Sequence, residues 1–207
     1  MASAASSSPD LLCRAARLQV LTVAWMAVEA IAAIVAACIA QSPALLGFGG
    51  DSAIELFSAL IVLWRFRARS ASEKAEKTAA RVAGPLLLLL AAFVLMTSGL
   101  SLLGFREPRA SVAGIVVLVL AAVGMPWLAS QKRKLALQLW SASLKADAAE
   151  SALCGYLSLI ALVGLLVNVF FHAPWADPIA ALALLPFIIK EAREALRAQR
   201  LTCGCVP

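Results

Sequence analysis

The chain has 207 residues, of which 62% are hydrophobic and only 14% charged, and its mean hydropathy is +0.90. A soluble domain carries about 25% charged residues, so this composition excludes a water-soluble globule and indicates an all-α integral membrane protein. The net charge of +6 does not point to nucleic acid, because the basic residues fall between apolar segments instead of forming one patch.

Residues 1–17 are expected to be a disordered tail, since the chain begins with a small, polar stretch that has no apolar character. A first apolar span runs from about Leu18 to Ala40. Arg14 and Arg17 before it and Cys38 near its end resemble a secretory lipoprotein signal. The run is long for a signal core, however, and Glu29 interrupts its middle. It therefore reads as a first transmembrane helix with a buried carboxylate.

The second span, about residues 44–65, contains two more acids, Asp51 and Glu55. A charge near the bilayer midplane costs about 2.5–3.5 kcal/mol on insertion scales, so neither is expected to face lipid. Four residues apart on a helix, they share one face with Cβ atoms about 5–6 Å apart, a spacing at which two oxygens can hold one cation. A charged segment, Arg65–Arg81, reads as a solvated helical connection. The third span, about 82–105, and the fourth, about 111–128, carry no ionisable residue before Arg106 and Lys132 bound them.

Lys132, Arg133 and Lys134 lead into a fifth span that is apolar from about Ala146 to Phe171. A sixth opens at Pro174-Trp175-Ala176-Asp177-Pro178, ends near Ile189 and passes directly into Lys190 and a short amphipathic tail, 198–207, with Cys203-Gly204-Cys205. His172, the sole histidine, reads as an ordinary loop residue. The five cysteines are too few and too scattered for a disulfide framework.

Six spans sort the charges by side. Of the 18 Lys and Arg, all but Arg106 and Arg109 fall on one side, and the positive-inside rule then places both termini in the cytoplasm.

The fifth span supplies a second i, i+4 pair, Glu150 and Cys154, with Asp147 one turn earlier. If it packs antiparallel to the second, Asp51 lies level with Cys154 and Glu55 level with Glu150. The result is a cage of three carboxylates and one thiolate, compatible with tetrahedral Zn²⁺. The thiolate argues against Mg²⁺ and Ca²⁺ but does not separate Zn²⁺ from Co²⁺, Fe²⁺ or Cd²⁺. Because ligand protonation and metal affinity are linked, excess carboxylates around a dication are a physical basis for proton–metal exchange. Asp147 and Asp177 lie near helix starts, where a carboxylate also complements the helix dipole. No basic residue nearby is expected to neutralise Asp51, Glu55 and Glu150 by ion pairing.

Gly49-Gly50-Asp51-Ser52-Ala53-Ile54-Glu55, Lys145-Ala146-Asp147-Ala148-Ala149-Glu150-Ser151-Ala152-Leu153-Cys154 and Trp175-Ala176-Asp177-Pro178 together resemble the cation diffusion facilitator (cation efflux) family over about residues 18–197. The resemblance implies a six-helix exporter of Zn²⁺ or related divalent cations in exchange for protons, usually a homodimer. It is expected in a bacterial inner (plasma) membrane, with no tightly bound cofactor and no enzymatic activity. Its metal site falls on Asp51, Glu55, Glu150 and Cys154, with Glu29, Asp147 and Asp177 expected as acids that support the ligands or relay protons and Cys203 and Cys205 as a metal-capturing tail. Cys154 stands where the family usually has an acid, which leaves Co²⁺, Fe²⁺, Cd²⁺ or Mn²⁺ as alternatives to Zn²⁺. The cytoplasmic metal-binding domain that usually follows the sixth helix is not expected, so a non-transporting metal sensor or partner-binding module of the same fold is a further alternative.

Overall fold

Each apolar span forms a helix. The computed structural model describes residues 9–67, 73–105, 107–109, 111–139 and 142–203. Six helices account for nearly all of these: α1 (Pro9–Ala40), α2 (Pro43–Arg67), α3 (Glu73–Leu102), α4 (Val112–Leu139), α5 (Ala142–Phe171) and α6 (Ala176–Cys203). Four segments within them are long and apolar enough to cross a membrane: Arg17–Ala40, Gly84–Leu102, Val112–Gln138 and Ala148–Phe171. These four are drawn from the described residues, and the set does not include α2 or α6.

Four helix ends differ from the sequence reading, one of them the start of α3, which at Glu73 lies inside the charged connection. Residues 9–17, placed in a disordered tail, begin α1, and α6 continues through residues 198–203. Lys132, Arg133 and Lys134 belong to α4 and do not lead into α5. The physical reason for the last is packing, since Leu128, Ala129, Leu135 and Ala136 continue a buried stripe beyond the strictly apolar sequence.

Helix starts follow local chemistry. Ser42 precedes α2, and its Oγ accepts from the amide of Leu45 at 3.1 Å, while Pro43 occupies the first helical position, where its missing N–H is no loss. Ser111 does the same for α4, accepting from Gly114 N at 3.0 Å.

Side-chain neighbours give the packing. The near contacts of Gly49 with Ala33, Gly50 with Leu90, Gly155 with Pro126 and Gly164 with Ala180 show α1 against α2, α2 against α3, α4 against α5, and α5 against α6, each pair antiparallel. α2 and α6 run parallel, with Ser42 near Asp177 and Gly47 near Leu184. The helices thus alternate in direction, and the three short connections 41–42, 103–111 and 172–175 meet at one end of the bundle. There Arg109 N donates to Ala40 O at 2.8 Å and Asn168 Nδ2 to Pro108 O at 3.1 Å.

α2 is the central element, packing on α1, α3, α5 and α6. From Pro43 to Ser52 none of its residues is exposed. α1 shows the opposite pattern: Thr22, Met26, Ala33 and Ala37 are buried, while Val28, Ile31, Val35 and Ile39 are more than half exposed. An exposed aliphatic stripe of this kind suits lipid and would be a liability in water.

Candidate metal centre

The centre begins at Gly49-Gly50. A Cβ on Gly49 would lie 2.9 Å from Ala33 Cβ and 3.0 Å from the Ile34 amide nitrogen, and one on Gly50 would lie 2.5 Å from Leu90 Cδ1. The two glycines let α1 and α3 close on α2 immediately before Asp51. The next two side chains are consequently withdrawn from the surface: Asp51 and Ser52 are each 1% exposed.

Asp51 and Glu55 lie one turn apart and meet a third carboxylate, Glu191 of α6. Ligand oxygens of the three lie within 4.8 Å of one another. Asp51 Oδ1, fully buried, has no hydrogen-bond partner. Such an atom costs about 1–3 kcal/mol if left unmet, and a cation is the partner that best suits a cluster of acids.

A second group forms on the α1 and α5 side of α2. Glu29 accepts three hydrogen bonds: Trp25 Nε1 donates to Oε2 at 2.7 Å, Ser52 Oγ to Oε1 at 3.2 Å, and Cys154 Sγ to Oε1 at 3.3 Å. Cys154 is 2% exposed and lies 3.9 Å from Ser52 Oγ. Beside this group a small cavity of about 40 Å³ is lined by Glu55, Glu150, Ser151 and Cys154, with Thr22 and Met26 of α1. Glu55 therefore belongs to both neighbourhoods, facing Glu191 on one side and the cavity with Glu150 and Cys154 on the other.

Asp177 does not join either group. It is fully buried at the start of α6, accepting from Ser42 Oγ at 2.6 Å and from Ala44 N at 3.4 Å. It braces the first turn of α2, about 21 Å along α6 from Glu191 at 1.5 Å per residue. The side chains of Asp147 and Cys203, and all of Cys205, lie outside the described residues.

Two residues at the centre escaped sequence reasoning. Glu191 reads as part of the charged end of α6. Its signal was the buried stripe Asp177, Ala181, Leu184, Ile188 and Ala192, whose helical period continues past the apolar sequence and carries Glu191 on its edge. Lys132 reads as a surface charge in a basic run. Because α4 extends to Leu139, Lys132 is instead fully buried, and its Nζ donates to Ser151 Oγ at 2.9 Å. Ser151 in turn lines the cavity together with Glu150.

A bundle of apolar helices that alternate in direction, with three carboxylates gathered where α2 meets α6, fits a polytopic membrane protein. Residues 20–201 match the family model for the cation efflux transmembrane domain, and the chain belongs to that family, the cation diffusion facilitators. Its members are membrane transporters of divalent cations, not enzymes. No curated protein matches the sequence.

Proposed function

We propose that this protein exports a divalent metal cation, Zn²⁺ foremost, in exchange for protons by alternating access. In this reading all six helices span the membrane with both termini in the cytoplasm, as the distribution of Lys and Arg supports. Asp51, Glu55, Glu150 and Cys154 hold the ion between α2 and α5. The observation that carries the reading is the arrangement around Glu55, where Glu150 and Cys154 of α5 line one cavity with it and Asp51 lies buried one turn away. Glu29 orients the Cys154 thiol through their 3.3 Å contact, as groups that hydrogen-bond metal ligands commonly do. Metal entry displaces protons from the carboxyl groups and the thiol, which couples the two fluxes. The homodimer and the bacterial inner membrane location rest on the family resemblance.

The test is flux in proteoliposomes loaded with a pH-sensitive dye. A Zn²⁺ gradient should drive proton movement with the natural sequence and not with Asp51→Ala or Glu55→Ala. Transport that survives both substitutions in well-folded protein would sink the proposal. Zn²⁺ binding without any proton movement would recast the protein as a sensor.

A further inference from the structure

From the position of α6 we infer that Glu191 is a metal ligand, making with Asp51 and Glu55 a second, all-carboxylate cation station where α6 packs on α2. This rests on the reading of Asp51 and Glu55 as metal-binding residues and adds a helix to it.

Three observations converge. Oxygens of Asp51, Glu55 and Glu191 lie within 4.8 Å of one another, close enough to surround one ion. Asp51 is 1% exposed, and its Oδ1 is buried with no hydrogen-bond partner among the described residues. The neighbouring acid on α6, Glu194, behaves quite differently: it is 64% exposed and pairs with Lys190 at 3.9 Å. The helix thus turns one acid inward and leaves the other to solvent.

Parallel packing of α2 and α6 makes this possible. Asp177 fixes the start of α6 on the start of α2 through Ser42 and Ala44, and Leu184 packs beside Gly47. The register then carries Glu191 level with Asp51 and Glu55. The chemistry of the two stations differs. Three carboxylates suit a hard or borderline dication such as Mn²⁺ or Zn²⁺, whereas the cavity side adds a thiol and favours the softer ion. Asp51 and Glu55, which belong to both ligand sets, are the ligands able to stay with the ion as it passes between them.

Metal binding to the full chain in lipid nanodiscs, measured calorimetrically with Zn²⁺ and with Mn²⁺, tests the inference. Glu191→Gln should weaken binding of both ions by at least about tenfold, the lower bound even for groups that only orient a ligand, while Glu194→Gln leaves binding unchanged. Glu191→His should recover Zn²⁺ more than Mn²⁺, because imidazole suits Zn²⁺; a residue that merely supported the fold would not reverse preference in this way. Should Glu191→Gln fail to yield folded protein, the histidine variant decides alone. Unchanged binding in both Glu191 variants, or equal weakening of the two ions in Glu191→His, overturns the α6 ligand. Asp51→Asn separates the layers: if it abolishes binding while Glu191 variants do not, only this inference fails. If Asp51→Asn also binds normally, the metal reading of α2 fails with it.

Discussion

Glu29 and Asp51 are both buried acids on apolar helices, and the protein satisfies them in opposite ways. Glu29 receives an indole, a hydroxyl and a thiol, so donors from α1, α2 and α5 converge on one carboxyl group. Asp51 faces other acids and keeps an oxygen with no partner. A buried polar atom is ordinarily paired, and in the proposed reading the unpartnered oxygen of Asp51 is one that a cation would meet. The difference teaches that buried charge alone does not mark the site. The donors around it separate the two cases: Glu29 is already supplied with them, whereas Asp51 is the acid left for the proposed cargo.

Exchanging the two acids for amides should break this contrast most sharply. Asp51→Asn is expected to lose Zn²⁺ affinity by roughly a hundredfold or more, whereas Glu29→Gln, which perturbs the orientation of Cys154, should lose about tenfold. Calorimetric titration of each variant checks the pair, and equal losses would erase the distinction. Next in size is the scaffold that buries Asp51. Gly49→Ala should destabilise the bundle by about 1–3 kcal/mol, because the new Cβ meets Ala33 and the backbone of Ile34. Gly50→Ala should cost less, because it meets only the flexible end of Leu90. Unfolding in mild detergent ranks the two.

Ser42→Ala removes the cap of α2 and the bond to Asp177 at the end remote from Glu191. About 1–2 kcal/mol of stability should go with it, and metal affinity should fall a few-fold, because the Ser42–Asp177 bond helps to set the register of α2 and α6. Unchanged affinity would mean that Leu184 beside Gly47 holds the register without that bond, which detergent unfolding and titration together would reveal. The smallest expected effect is that of Cys154→Ser. A hydroxyl can still donate to Glu29, so the fold should stand, but the preference for Zn²⁺ over Mn²⁺ should fall a few-fold in competition binding, because oxygen is the harder ligand. An unchanged ratio would confine Cys154 to the donor set around Glu29.

Much of this molecule is legible from its residues alone. Hydropathy marks six helices to within a few residues at most of their ends, because burying backbone in lipid leaves little choice but helix. The cost of charge in an apolar span flags Glu29, Asp51, Glu55 and Glu150 as residues with work to do. The motifs around Asp51, Glu150 and Asp177 carry the family. Tertiary structure alone decides which acids meet. Glu191 and Lys132 look like solvated charges because each lies in a polar run, and only the packing of α6 beside α2 and of α4 beside α5 draws them inward. Spacing along a helix fixes which side chains share a face. It cannot fix which neighbouring helix that face meets, and so whether Asp51 finds donors, a thiol or another acid is settled only when the six helices pack.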